Sequence, residues 1–401
     1  MDAQYSEDVR WMNMALQLAE NARGQTAPNP LVGAVVVKDG RLVGQGAHLY
    51  PGGPHAEVYA LQTAGEAARN ATVYVTLEPC NHHGRTPPCT QALLNAGVQR
   101  VVIANLDPNP HVAGGGTLRL REAGVQVDVG VLAAAARRQN ETFFTWAQKS
   151  RPFVVWKTAL TLDGYIAAIS GDSAYVTGPE ARASVQELRR QFSAIMVGVG
   201  TVLADNPRLT VRPIITDTDV SAAEDTLTLG MLRQPLRVVL DSHLRTPPSA
   251  QLLKEPGATR IYTTDMAITT YADRVWDLQQ AGAQVVPVAT DKTERVDIAQ
   301  VLTHLAATGV DSLLVEAGTG LASSLFAMGL LDKVVAYVAP KLLGGGRPAL
   351  KGRDVQRMDE AVELGEVCWQ AVGQDLRLEG YPVYPTRPAA DCNETAGRQL
   401  L

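Results

Sequence analysis

The chain has 401 residues, 46% hydrophobic and 19% charged, an ordinary composition for folded protein but too long for one common core, so two domains are expected. Lys and Arg number 36 against 41 Asp and Glu, and the net charge of −5 argues against nucleic acid held by bulk electrostatics. No apolar run approaches the roughly 20 residues that cross a bilayer, and the acidic opening Met1–Asp8 lacks a signal-peptide pattern, so a cytoplasmic protein is expected.

In chain order, Ser6-Glu7-Asp8 opens a helical pattern with Met12, Ala15, Leu16 and Ala19 on one side, closed by Gly24. Leu31 to Val37 and Leu42 to Ala47 read as strands joined through Asp39-Gly40, a type I′ hairpin pair. His55 to Ala64 reads as a helix with Val58, Leu61 and Ala64 inward, stopped by Gly65. Thr72 to Leu77 reads as a buried strand broken by Glu78-Pro79-Cys80. A helix begins near Pro87-Pro88 and ends at Gly97. Arg100 to Ala104 is a strand, Gly114-Gly115-Gly116 turns into a helix reaching Ala123, and Val125 to Val129 is a strand. Strands interleaved with helices predict an α/β layered domain.

An alanine-rich helix at Leu132 to Ala136 and an aromatic cluster at Phe143, Phe144 and Trp146 precede Ser150-Arg151-Pro152, where the pattern restarts. The expected domains are therefore 1–150 and 151–384. Beyond the boundary, Phe153 to Leu160, Leu236 to Leu240 and Ser312 to Val315 read as strands, and a helix at Pro179 to Gln191 leads into the apolar run Ala194 to Thr201. This alternation, with glycines at strand ends, predicts a mostly parallel sheet with ligands at its carboxyl edge. Thr216 to Gly230 reads as a polar insertion loop and 385–401 as a loose tail.

The chemistry concentrates at His55-Ala56-Glu57, Pro79-Cys80 and Cys89. Four cysteines are no disulfide framework, and two of them beside a histidine motif point to metal ligation in a reducing compartment. One imidazole and two thiols leave a fourth zinc position open, as a catalytic site requires, and Glu57 is a carboxylate left over to move protons. Zinc deaminases use a His-x-Glu and Pro-Cys-x-x-Cys pattern; here eight residues, Asn81 to Pro88, separate the cysteines. All three ligands are expected near helix starts, where the dipole favours thiolate. A closed structural site completed by His48, His82 or His83 stays open as the rival. Cys368 and Cys392 read as ordinary thiols.

Longer runs sharpen this. Pro28 to Gly33, Pro54-His55-Ala56-Glu57 and Thr76 to Cys89 resemble the deaminase half of the bifunctional riboflavin-biosynthesis deaminase–reductases, to which the eight-residue cysteine spacing belongs. Leu162-Asp163-Gly164, Thr201 to Pro207, Glu316-Ala317-Gly318 and Ala339 to Gly345 resemble the reductase half, so the match spans the chain. The resemblance implies an α/β chain with an N-terminal cytidine-deaminase-like α/β layered domain followed by a dihydrofolate-reductase-like, mostly parallel α/β domain. It implies that His55, Cys80 and Cys89 hold one zinc and that Glu57 is catalytic. The substrate would be 2,5-diamino-6-(5-phosphoribosylamino)pyrimidin-4-one, deaminated by water and then reduced by NADPH from ribosyl to ribityl.

By the same resemblance Asn29, His48 and Arg85 would touch substrate. The Asn29 amide suits a ring edge and Arg85 a phosphate, although His48 could cap its strand and Arg85 could be a solvated loop charge. Ala159, Tyr175, Thr201, Asp205, Ser242 and the run Gly318, Thr319, Gly320, Leu321, Ala322, Ser323 and Ser324 would line NADPH. Ser173, Arg189, Leu209, Arg212 and Glu316 would face substrate, with both arginines as phosphate clamps; by spacing alone Arg189 is a surface helix charge. Gly318-Thr319-Gly320 stands where helix-start amides can hold phosphate, yet tight turns use glycine too. Asp163 and Glu316 are candidate proton donors for the reduction, and Asp163 before Gly164 also suits a turn. A homo-oligomer built through the reductase halves is expected, with no nucleic-acid or membrane partner. The rivals are a cytidine- or guanine-type deaminase with a non-catalytic nucleotide-binding second domain, and a binding protein with structural zinc.

Overall fold

The computed structural model describes residues 3–82, 87–109, 112–174, 176–212, 233–352 and 355–385. His83, Gly84, Arg85, Thr86, Tyr175, the expected loop Thr216–Gly230 and residues 386–401 of the expected tail lie outside the described residues. The first elements are α1 (Ala3–Glu20), β1 (Gly33–Lys38), β2 (Arg41–Ala47), α2 (Ala56–Ala64), β3 (Thr72–Leu77), α3 (Cys89–Ala96), β4 (Arg100–Asn105), α4 (Gly115–Glu122), β5 (Gln126–Val129), α5 (Ala133–Gln139) and α6 (Glu141–Lys149). There follow β6 (Phe153–Thr161), β7 (Tyr165–Ala167), α7 (Pro179–Arg190), β8 (Ala194–Gly198), α8 (Val199–Asp205), β9 (Leu236–Leu240), α9 (Gln251–Lys254), β10 (Thr259–Thr264), α10 (Asp265–Thr270), α11 (Ala272–Gln280) and β11 (Ala283–Val288). The last are α12 (Ile298–Ala307), β12 (Ser312–Val315), α13 (Thr319–Ala327), β13 (Lys333–Ala339), β14 (Arg347–Pro348), β15 (Glu363–Val372) and β16 (Asp375–Val383). Among the described residues no helix is long and apolar enough to cross a membrane.

The contacts fall into two compact units, Met1–Phe153 with Gln186–Leu314, and Val154–Val185 with Val315–Leu401. In the first unit a five-stranded sheet runs in the order β2-β1-β3-β4-β5. β1 is antiparallel to β2 and β3, whereas β3, β4 and β5 are parallel. Alternation along its strands feeds two cores. Val36, Val73, Val75, Val101 and Ile103 pack with Ala60, Leu93 and Leu120 on one face, and Val35, Val37, Tyr74 and Val102 pack with Trp11, Met12 and Ala136 on the other. Helices therefore cover both faces, which is why the inner strands are apolar throughout. The hairpin turns at Asp39 and Gly40, with φ of 52° and 72°, the paired left-handed geometry of a type I′ turn.

Two glycines place the future site. A Cβ on Gly46 of β2 would stand 2.5 Å from the Ala56 carbonyl oxygen, so α2 begins directly against the sheet. A Cβ on Gly116 would stand 2.0 Å from the carbonyl oxygen of Pro79, so α4 begins against the residue before Cys80. The expected inward face of α2 holds at Ala64, which is buried, and in part at Leu61, which packs half-buried against the core. Ala56 and Ala60 are also buried, because alanines are what fit against Gly44 and Gly46 of the sheet; Glu57 is buried as well, and Val58 is half-buried. α1 also starts three residues earlier than Ser6, and Gly24 lies beyond its end at Glu20. The aromatic cluster proves to be helical, on α6.

A buried charge group ties α1 to this sheet: Arg100 donates to both Asp8 oxygens at 2.7 Å, and the Tyr74 hydroxyl donates to Asp8 at 2.9 Å. Also in the first unit, β12-β8-β9-β10-β11 form the second strand set, with β8 to β11 parallel. Arg237 on β9 is 1% exposed and donates to the carbonyls of Glu255, Pro256 and Gly257, which satisfies its buried donors. In the second unit the order is β6-β13-β16-β15, with β6 and β13 parallel and β13, β16 and β15 antiparallel, beside a β14-β7 pair.

Candidate active site

His55, Cys80 and Cys89 each offer one ligand atom, and these atoms lie within 4.8 Å of one another. His55 is the N-cap of α2 in extended backbone, so its ring turns back from the helix while Glu57 enters the first turn. Both line one cavity, although residues two apart on a helix face apart. Its Nδ1 is the converging atom, 3.1 Å from the Cys89 sulfur and 3.6 Å from that of Cys80. Cys89 opens α3 behind Pro88. Cys80, expected at a helix start, lies instead in the loop after β3, but its sulfur accepts from the Cys89 backbone N–H at 3.4 Å. The positive end of α3 thus serves both sulfurs. The Cys89 thiol holds Cys80 down to about 4, and the same pairing with burial pushes Cys89 up. A second thiolate here needs a cation, and an imidazole with two thiols is a zinc donor set with one position to spare.

The closed-site rival loses a ligand. His48 is 3% exposed and both its ring nitrogens are engaged. The carbonyl of Pro54, 3.1 Å away, can only accept, so Nδ1 carries the proton. The Nε2 atom then accepts from the Asn29 amide nitrogen at 3.0 Å, which turns the Asn29 oxygen the other way. Burial lowers the His48 pKa and keeps the ring neutral. His48 is therefore no metal ligand: its ring aims Asn29, while its backbone N–H bonds the Val32 carbonyl at 2.9 Å just past the end of β2. Glu57 is 3% exposed, and burial raises its carboxyl to about 7, where it can both accept and return a proton.

The cavity measures about 620 Å3 and is lined by Asn29, His48, His55, Glu57 and Cys80 among others. Sequence reasoning missed several of its walls. Asp107 and Asn109 line it from the loop after β4, and the X-Pro-X-Pro run Asp107 to Pro110 at a strand's carboxyl end was the available signal. Glu78 holds that loop. Its oxygens accept from Asp107 and Gly114 backbone nitrogens at 3.2 and 2.8 Å, and from the Thr117 nitrogen and hydroxyl, each at 2.9 Å. Asn140, 2% exposed, bonds both the N–H and the C=O of Leu31 and so anchors the chain beside Asn29.

The residues expected at the second site fall in both units, and each unit shows part of the set. In the first, Arg189 donates to the Thr210 carbonyl at 3.0 Å and the Arg212 N–H to Gln186 at 3.0 Å, so the turn carrying Leu209 is fastened to α7. Leu209 itself is buried with φ of 53°. Thr201 and Asp205 sit on α8, and the Ser242 hydroxyl accepts from the Val296 N–H. In the second, Ala159 lies on β6, Ser173 is exposed between β7 and α7, and Gly318 caps α13, which carries Thr319 to Ser324. The hydroxyl of Thr319 bonds the Pro348 carbonyl and that of Ser323 accepts from Lys351, so these two side chains hold the strand-β14 segment. Lys157 Nζ stands 3.8 Å from Glu316, a cation that sequence reading passed over. Asp163 accepts from Thr161 at 2.6 Å and from the Leu343 and Gly344 N–H groups. Those bonds hold its carboxyl below the usual range, Thr161 foremost, which favours the turn role over proton donation.

Comparisons with known proteins agree with this geometry. Residues 5–105 match the cytidine and deoxycytidylate deaminase zinc-binding region, and residues 152–378 match the RibD C-terminal domain. The chain is 43% identical to riboflavin biosynthesis protein RibD of Escherichia coli over 338 residues, 84% of this chain and 89% of that one. It is 40% identical to the Aquifex aeolicus protein of the same name over 369 residues, 92% of this chain and 97% of the relative. The solved structure of Acinetobacter baumannii RibD superposes with a TM-score of 0.81 at 37% identity, covering 94% of this chain and 99% of that chain. A Thermotoga maritima diaminohydroxyphosphoribosylaminopyrimidine deaminase/5-amino-6-(5-phosphoribosylamino)uracil reductase does so at 0.77 and 34% identity, over 95% and 100%. With a deaminase-like α/β first half, a RibD-type reductase second half and the His/Cys/Cys cluster between β3 and the starts of α2 and α3, the chain belongs to the RibD family.

Proposed function

We propose that this enzyme performs two consecutive steps of riboflavin biosynthesis. It hydrolytically deaminates 2,5-diamino-6-(5-phosphoribosylamino)pyrimidin-4-one, and with NADPH it then reduces the ribosyl group, giving 5-amino-6-(5-phosphoribitylamino)uracil. The observation that carries the reading is the convergence of His55, Cys80 and Cys89 beside the buried Glu57 in one cavity of a RibD-family chain. His55 Nδ1 and the two sulfurs would hold zinc, which would supply a water molecule made nucleophilic near neutral pH. Glu57 is the proton carrier of the site, accepting from the attacking water and returning the proton to the departing exocyclic nitrogen, so ammonia leaves and a carbonyl remains. The Asn29 oxygen, aimed by neutral His48, reads the ring edge. Arg85 is assigned the substrate phosphate, on the resemblance of its loop.

For the second step, Ala159, Tyr175, Thr201, Asp205, Ser242 and Gly318 to Ser324 are assigned to NADPH, and Ser173, Arg189, Leu209, Arg212 and Glu316 to substrate. The start of α13 at Gly318 supports a phosphate there, since the described space above Gly318 and Gly320 is clear of neighbouring atoms within 4 Å. The two family matches support a boundary at 150/151 between a deaminase domain, 1–150, and a reductase domain, 151–384, with 385–401 as a tail. A cytoplasmic setting suits the paired thiols, which an oxidising compartment would consume. A homo-oligomer through the second domain is supported by strand β15, whose Val367 and Trp369 are exposed; light scattering checks it.

The test follows ammonia and NADPH absorbance separately in zinc-loaded protein with the pyrimidine substrate. Ammonia is expected with or without NADPH, and NADPH is consumed only after it. Ammonia with no NADPH consumption would return the rival deaminase with a silent second domain.

A further inference from the structure

The cavity that holds the metal cluster is not walled by the deaminase stretch alone. Phe143 and Trp146 of α6 line it, and so do Thr303, Ala306 and Ala307 of α12, which belongs to the segment matching the RibD C-terminal domain. The indole N–H of Trp146 donates to the Ala306 carbonyl at 3.4 Å, which holds the ring against the end of α12. Positions 303, 306 and 307 share one side of the helix, three and four residues apart. Leu302 and Leu305, 1% and 0% exposed, turn into the core, whereas Thr303 and Ala307 are exposed and open to the cavity. α12 thus buries one face in its own strand layer and lends another to the deaminase pocket.

A volume of about 620 Å3 far exceeds a bare pyrimidine. The carbon that loses its amine must reach the metal cluster, so the ring occupies that part of the pocket. What is left for the α6 and α12 wall is the substituent on the ring. We infer that Thr303, Ala306 and Ala307, backed by Trp146 and Phe143, form a specificity-determining wall that receives the phosphoribosylamino arm, with small side chains at 306 and 307 leaving room for the sugar and the Thr303 oxygen, whose proton goes to the Ala299 carbonyl at 3.0 Å, left to accept from a sugar hydroxyl. Deamination then depends on a helix of the other catalytic half. This rests on the deaminase reading above.

The experiment uses the full-length zinc-loaded chain carrying Ala307→Trp or Thr303→Trp, both at exposed helix positions. A filled wall should raise the KM for deamination about tenfold or more, with NADPH-dependent reduction of the deaminated intermediate and zinc content unchanged. Ala299→Trp, one turn earlier on the same side but outside the cavity lining, should leave all three unchanged. Thr303→Val keeps the volume and removes only the hydroxyl, so it tests the wall without a folding burden; its KM should rise about fivefold. Unaltered deamination kinetics in Ala307→Trp and Thr303→Val would overturn the wall while leaving the deaminase intact. No ammonia from the unsubstituted chain would overturn the deaminase reading itself and the wall with it.

Discussion

The two catalytic halves differ in how their chemistry is written. The deaminase site is built from side chains whose identity is the function: a nitrogen, two sulfurs and a carboxylate converge from three short stretches around one sheet. The reductase residues are spread from Ala159 to Ser324, and several act in this structure through backbone or through hydroxyls bonded to their own chain, as Thr319, Ser323 and Ser242 do. Metal ligation demands particular elements, so few residue types can serve. Cradling a dinucleotide asks for shape and amide groups, which many sequences supply. The first kind of site is therefore legible residue by residue, and the second is recognised chiefly by family.

That contrast can be broken by substitution. Glu57→Gln should bind zinc and reduce as before yet lose deamination by about a thousandfold or more, since it removes the proton carrier without removing a ligand. In the parent enzyme deamination should fall on an acid limb at about 7 or lower, because the needed carboxylate is lost as pH drops through its raised pKa and a bound cation opposes burial; the reduction should lack that limb. A zinc-loaded, active Gln variant would remove Glu57 from the chemistry.

The scaffold beneath the first site is expected to be nearly as sensitive. Asp8→Asn breaks the two-pronged pair with Arg100, which keeps its bond to Asp128 at 2.7 Å, and should cost about 2 kcal/mol in denaturant unfolding. Burial alone would raise the Asp8 pKa, but Arg100 and Tyr74 outweigh it and the net shift is downward. Its stabilisation is thus complete above the ordinary 3.8 and fades as pH falls through the lower folded value, so the variant's deficit should shrink in acid. Glu78→Gln puts an amide NH2 among the donors of Asp107, Gly114 and Thr117 and should cost about 2 kcal/mol. If Glu78 serves the pocket through the Asp107 loop, the KM for deamination rises as well; a change in melting alone would limit it to folding.

The smallest effect sharpens the second half. Arg189→Ala should raise the KM for reduction about tenfold, or 1.4 kcal/mol, while ammonia release stays at the parent rate. An equal loss in both reactions would mean that Arg189 only fastens the Thr210 turn to α7.

Much was determined by the sequence alone. Strands Thr72–Leu77, Leu236–Leu240 and Ser312–Val315 run between the residues where β-branched and apolar runs begin and end, and Asp39-Gly40 makes its hairpin because both residues tolerate positive φ. The donor set His55, Cys80 and Cys89 was equally plain, since ligand chemistry resides in residue type. Tertiary structure decided the rest. It put the Cys80 sulfur at the start of α3, made His48 a neutral post for Asn29, set Ala56 and Ala60 rather than Val58 beneath α2, and brought α12 to the wall of a pocket encoded in the first half. None of these has a local period, because each depends on which backbones approach closely enough to exclude a side chain, to share an amide, or to face the same cavity.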